Sequence, residues 1–149
     1  VPTTYTGGLV LANPIASTVN LRIQKAKASF IVAQTNAAVI GLGIGFSATA
    51  LAGTLTAVAS LPGNNGATPA VAQGLLYSSA SITLPAAPYL ARILGTVNTG
   101  ALTTGVANLG LEADLQGSII LPPGGYAVFL SSAAGTASSF FGSFVWVEA

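Results

Sequence analysis

Apolar and polar residues alternate with a period of two along much of this chain. Residues 18–25 (TVNLRIQK) set Val19, Leu21 and Ile23 against Asn20, Arg22 and Gln24, the signature of a strand buried on one face. Residues 29–34 (SFIVAQ) form a second short strand with β-branched Ile31 and Val32. In residues 39–49, Gly41, Gly43 and Gly45 alternate with Ile40, Leu42, Ile44 and Phe46. One face of that strand is apolar and the other nearly bare backbone, so a neighbouring group can approach it closely. Residues 54–60 and 74–84 add two more strands, and residues 91–96 read as a short strand or one turn of helix. Residues 117–121 (GSIIL) run into Pro122-Pro123-Gly124-Gly125, a tight-turn signal, with residues 126–131 (YAVFLS) as the partner strand. The last strand, residues 140–148, sets Phe140, Phe144 and Trp146 on one side and Phe141, Val145 and Val147 on the other. With both sides apolar it is expected to be buried on both faces, either central in a sandwich or covered by a partner chain.

Loops fall at residues 61–68 (LPGNNGAT), 98–108 and 132–139, where Gly, Pro, Asn and Ser concentrate. Pro85 and Pro88 remove N–H donors and interrupt any ladder there. No segment shows a clean 3.6-residue period with capping residues. Short strands at intervals of about ten residues, divided by Gly/Pro turns, indicate an all-β antiparallel sandwich or barrel. Residues 1–149 read as a single domain without a linker or an internal repeat.

Charge changes the picture most. The formal charges are Arg22, Lys25, Lys27, Arg92, Glu112, Asp114 and Glu148, 5% of the residues, against about 25% in an ordinary soluble domain. None lies between Lys27 and Arg92. Ala, Gly, Ser and Thr supply about half of the chain, and these small side chains lose little rotamer entropy when immobilised. Such a surface suits extensive contact with other protein or with lipid. A net charge of +1 argues against nucleic acid, whose phosphates require clustered Lys and Arg.

The lipid reading rests on residues 37–61, which are uncharged and long enough to span a bilayer. Against it stand the period-two glycines, the β-branched Thr49, Thr54 and Thr56, and the distance of Lys25 and Lys27 from the segment. No partner membrane is therefore expected, and a membrane-associated protein using residues 37–61 remains the alternative class. Residues 1–14 (VPTTYTGGLVLANP) lack the basic and apolar regions of a signal peptide.

Chemistry is sparse. The absence of His and Cys removes the usual general base, thiol nucleophiles and the common transition-metal ligands. Glu112 and Asp114, two apart in an extended segment, point the same way and could share a calcium ion. Calcium normally gathers more oxygens than these neighbours offer, so the pair reads as a solvated edge. A two-carboxylate glycosidase would have to recruit Glu148. The glycines of residues 41–45 lack the strand-turn-helix setting and the lysine of a nucleotide loop. No enzyme, catalytic residue, cofactor or metal is expected. The candidate interface residues are Arg22, Lys25 and Lys27, as an edge guard or a dock for an acidic patch, and Phe140, Phe144 and Trp146, as core or as interface anchors.

Several stretches together resemble a family. They are Asn13-Pro14 with residues 17–21 (STVNL), the glycine strand of residues 41–45, residues 81–85 (SITLP), residues 117–126 (GSIILPPGGY) and residues 144–148 (FVWVE). The chain resembles the small jelly-roll cement, or decoration, proteins of tailed-bacteriophage heads. The resemblance implies a jelly-roll-like β-sandwich that self-associates, as a dimer in preference to a trimer. It implies a seat on the outer surface of the capsid head, where major capsid protein subunits meet.

Overall fold

The computed structural model describes residues 4–32, 37–49, 56–58, 72–79, 84, 88–97, 110–132 and 139–149. The ends of the expected strands at residues 33–34, 54–55, 59–60 and 80–83, and the loops at 61–68, 98–108 and most of 132–139, lie outside them. Among the described residues nine strands form: β1 (Thr4–Ala12), β2 (Leu21–Val32), β3 (Ala38–Phe46), β4 (Thr56–Val58), β5 (Leu75–Ser79), β6 (Tyr89–Val97), β7 (Gly110–Leu121), β8 (Gly125–Ser131) and β9 (Ser139–Glu148). There is no helix among them. Residues 91–96, open between strand and helical turn, belong to β6.

The pairing is nested. β1 pairs with β8, β2 with β7, β3 with β6 and β4 with β5, all antiparallel. Such nesting is that of one long hairpin rolled up, the jelly-roll plan. β3 also pairs with β8, which joins the first and third pairs in one sheet. The β4–β5 hairpin attaches through β5 to β1, so it extends this sheet rather than the other. β9 adds to β2. The result is a six-stranded sheet, β4-β5-β1-β8-β3-β6, facing a three-stranded sheet, β7-β2-β9. The chain is an all-β, jelly-roll-like sandwich.

β2 joins the two strands expected at residues 18–25 and 29–34 into one. Its core side is Leu21, Ile23, Ala26 and Ala28, all buried. The spacing slips by one residue at Gln24, where pairing with both neighbours shifts register. That bulge keeps apolar residues inward on both sides of the slip. On β7 the same point carries Gln116 and Gly117 at φ +49° and +73°, the left-handed geometry of a bulge.

Two apolar layers result. Between the sheets lie Leu11, Leu21, Ile23, Leu42, Leu115, Leu121, Phe129 and Phe144 with their neighbours. Phe129 stacks on Phe144 at 5.1 Å between ring centres and meets Phe140 edge-on at 5.6 Å. On the other side of the large sheet Val10, Ala12, Tyr126, Val128 and Leu130 are also buried, with Tyr77, Leu84 and Leu90 against them. β8 is thus buried along its whole length. The bare rail of β3 lies in this second layer. A Cβ on Gly43 would fall 2.8 Å from Leu130 Cγ, one on Gly41 would run into Leu90, and one on Gly45 into the Tyr126 ring. The close approach expected at the glycines is made by side chains of adjacent strands. Residues 38–46 are therefore a strand between β8 and β6, and the membrane-helix reading of residues 37–61 fails there. No helix among the described residues is long and apolar enough to cross a membrane.

The turn at Pro122–Gly125 forms as expected, with Gly124 at φ +86° and the Gly125 N–H donating to Pro122 O at 2.7 Å. Its destination differs from the expectation. β7 and β8 are not partners; the turn carries the chain from the small sheet to the large one. Asn13 fixes this arch. Its N–H donates to Gly125 O at 2.8 Å and its C=O accepts from Gly124 N at 2.9 Å. Its buried side-chain amide donates to Val19 O at 2.8 Å and Leu121 O at 2.9 Å.

Candidate interaction surface

The alternation within β2, β7 and β9 sends every second side chain away from the core. On that outer face the register places Arg22 between Ile120 and Val147, Lys25 between Asp114 and Val145, Lys27 between Glu112 and Ser143, and Ser29 between Gly110 and Phe141. The three strands therefore present parallel columns of different character. β7 is acidic, β2 basic and β9 apolar. Five of the chain's seven formal charges lie on this one face.

The acidic and basic columns pair. Lys25 Nζ lies 3.6 Å from Glu112 Oε1 and Lys27 Nζ 3.3 Å from Glu112 Oε2. Hydrogen bonding and attraction from the Lys27 ammonium, followed by attraction from Lys25, hold the Glu112 carboxyl below its ordinary value of 4.5. A lowered folded-state value means a contribution present above the unfolded value and lost as pH falls through the folded one. The pairs are solvent-exposed, so the contribution is small. Glu112→Gln is expected to shift the melting temperature by at most about 1–2 °C at neutral pH, and by nothing once the parent carboxylate is protonated. Thermal melts at neutral and acid pH check this.

Glu112 and Asp114 do share a face, as their spacing requires. Glu112 is occupied by two ammonium groups rather than by a cation site, and no group of three potential metal ligands occurs among the described residues. Glu148 turns inward. Its Oε1 accepts from Gly74 N at 2.9 Å and from Trp146 Nε1 at 3.3 Å, tying the end of β9 to the segment before β5. This removes the third carboxylate from any acid–base pair with the other two.

Of the six candidate interface residues, the structure groups three on the surface and three in the core. Arg22, Lys25 and Lys27 form the basic column. Phe144 is buried between the sheets, and Phe140 and Trp146 pack partly buried against the same cluster. The aromatic surface that β9 offers is on its other side: Phe141 is 73% exposed, Val145 52% and Val147 50%. Of the two placements expected for this strand, the central one belongs to β8 instead, and the outer face of β9 is the one a partner chain would cover. β9 is the border of the small sheet, so only its inner face meets the core.

No family model, curated protein or solved structure matches this chain. Its surface must therefore be read from its own residues. A second exposed apolar pair lies across the sandwich on β6, where Tyr89 is 79% and Ile93 63% exposed beside exposed Arg92. Sequence reasoning gave no weight to these two. A small, mostly apolar pocket of about 110 Å³ is bordered by Asn13, Ile15, Ser47, Leu75, Tyr77 and Gly124. It is well below the roughly 300 Å³ at which small-molecule sites begin.

Proposed function

We propose that this chain is a capsid cement protein of a tailed bacteriophage, a structural module that seats on the outside of the head and holds neighbouring major capsid protein subunits together. One observation carries the reading. A jelly-roll sandwich with very few charges exposes several large apolar side chains, Ile15, Phe46 and Ile120 among them, and the three most exposed, Tyr89, Phe141 and Ile93, lie on two separate borders, β6 and β9. A clamp needs two such contacts, one for each neighbour. The resemblance of its turn and final strand to phage decoration proteins supports the same reading, including self-association as a dimer.

The mechanism follows from mass action. A protein that binds only the assembled shell stabilises it by its binding free energy, and repetition over the shell multiplies modest contacts. Purified virions are expected to contain the chain in stoichiometric amounts, and its absence from them would refute the proposal. Apolar contacts also predict weak salt dependence. Raising salt from 0.1 to 1 M shortens the screening length from about 10 to about 3 Å, yet retention on heads is expected to change little. Release that climbs steeply with salt would assign attachment to the Arg22, Lys25 and Lys27 column instead. Sedimentation of heads through salt steps distinguishes the two.

A further inference from the structure

An exposed strand border invites pairing with another chain, and proteins usually blunt it with charge, proline, bulges or brevity. Two of the four borders here carry such devices, and β4 is three residues long among the described residues. β6 carries exposed Arg92 and two bulges, at Ala91 and Leu94, in its pairing with β3. β7 carries Glu112 and Asp114 and the left-handed residues Gln116 and Gly117. β9 has none of these devices. Its ten residues contain no proline. The extra residues at its register shifts lie on β2 rather than on β9. Its one charge, Glu148, is turned inward onto Gly74. Among the described residues no strand pairs with its outer side.

We propose that the outer border of β9, which no described strand covers, accepts an extended strand from another polypeptide, with apolar side chains facing inward and acidic ones facing outward. The fold limits the occupant to a lone strand. β9 lies beneath β1 and β8: a Cβ on Gly142 would fall 2.9 Å from the Phe129 ring and 3.4 Å from Leu9. The large sheet continues past β1 through β5 and β4, and so reaches beyond β9 by two strands, or about 10 Å. A second copy paired border to border about a two-fold axis would bring its own β4–β5 hairpin into that space. A lone strand needs only one strand spacing of that width. Charge sets the outward side chains. One strand in from β9 stands the basic column, and of its three members only Lys25 and Lys27 have a carboxylate partner among the described residues. Arg22, beside Val147, has none. An added strand would hold its outward acids about 10 Å from that column, about one screening length at 0.1 M salt.

The inference does not depend on the capsid reading, because the purified protein alone tests it. The probe is a capped synthetic peptide about as long as β9, alternating valine with glutamate, and a matched peptide with lysine for glutamate. Trp146 is the chain's only tryptophan and lies on β9, so its emission reports occupancy, and amide exchange along β9 reports pairing. The glutamate peptide is expected to shift Trp146 emission and slow exchange of the β9 amides, with the lysine peptide at least about tenfold weaker. Val145→Glu, at an exposed outward position that leaves the core untouched, is expected to weaken binding by a similar factor with unchanged melting. Four results overturn the proposal. They are no response at millimolar peptide, equal binding of the two peptides, β9 amides in the free monomer as protected as those of β2, and a dimer whose β9 amides are protected at its interface.

Discussion

Phe129→Ala is expected to cost about 3–5 kcal/mol and to lower the melting temperature by roughly 6–20 °C in a chain of this size. Phe129 is almost fully buried at the middle of β8, which is itself enclosed on both faces. Its ring stacks on Phe144 and takes Phe140 edge-on, so one truncation empties the contact between the large sheet and β9. The rings on β9 cannot close the void, because they are held by pairing with β2. Urea denaturation gives the magnitude. Phe141→Ala is the informative companion, expected within about 0.5 kcal/mol of the parent because surface side chains contribute little. A comparable loss at Phe141 would mean that the outer face of β9 is covered in solution.

The contrast between these two neighbours shows what was legible beforehand. Alternation separates Phe140, Phe144 and Trp146 from Phe141, Val145 and Val147, and the structure keeps that separation. Alternation cannot say which apolar face is inside when both are apolar. That is decided by strand order, which depends on contacts between residues distant in sequence. The same limit explains the arch at Pro122–Gly125. Proline and glycine fix the backbone angles of a turn, but whether the next strand returns to the same sheet is decided by its partners, here β1 and β3. β1 was not anticipated because Leu9 and Leu11 face one layer while Val10 and Ala12 face the other, leaving no polar positions to mark a period. The basic column was legible as residues, and its pairing with Glu112 was not, since that needs the register of β2 against β7.

The scarcity of charge acquires a definite geometry. Most of the chain's ionised groups lie on the outer face of the small sheet, where the acidic and basic columns neutralise each other and leave the apolar β9 column beside them. The exposed apolar residues of β6 lie on the far border of the other sheet. A molecule with this arrangement can engage protein on two sides without opposing strong fields, which is what a clamp between like subunits requires.

Asn13→Leu is expected to cost about 1–3 kcal/mol. The side-chain amide is the donor to Val19 O and Leu121 O; Val19 O keeps Ser17 Oγ at 3.2 Å as a second donor, so the loss falls on Leu121 O, and a carbonyl left without its donor costs about 1–3 kcal/mol. Residue 13 also sits where β1 ends, β7 ends and β8 begins, with its backbone bonded to Gly124 and Gly125. Loosening it therefore frees the arch that joins the two sheets. Asn13→Asp separates hydrogen bonding from shape, because it preserves the volume and removes both N–H donors. Near neutral pH its carboxylate would be buried against two carbonyl oxygens, so this variant is expected to be the less stable of the two. Burial and the facing oxygens raise the folded-state value of that carboxyl, so its penalty is largest above the raised value and relaxes as pH falls and one O–H donor is restored. The Asn13→Leu penalty has no titrating group and should not move with pH. Urea denaturation of both variants at about pH 7 and about pH 4, each against the parent, tests this. Equal pH dependence in the two variants would remove the carbonyl-facing amide as the cause.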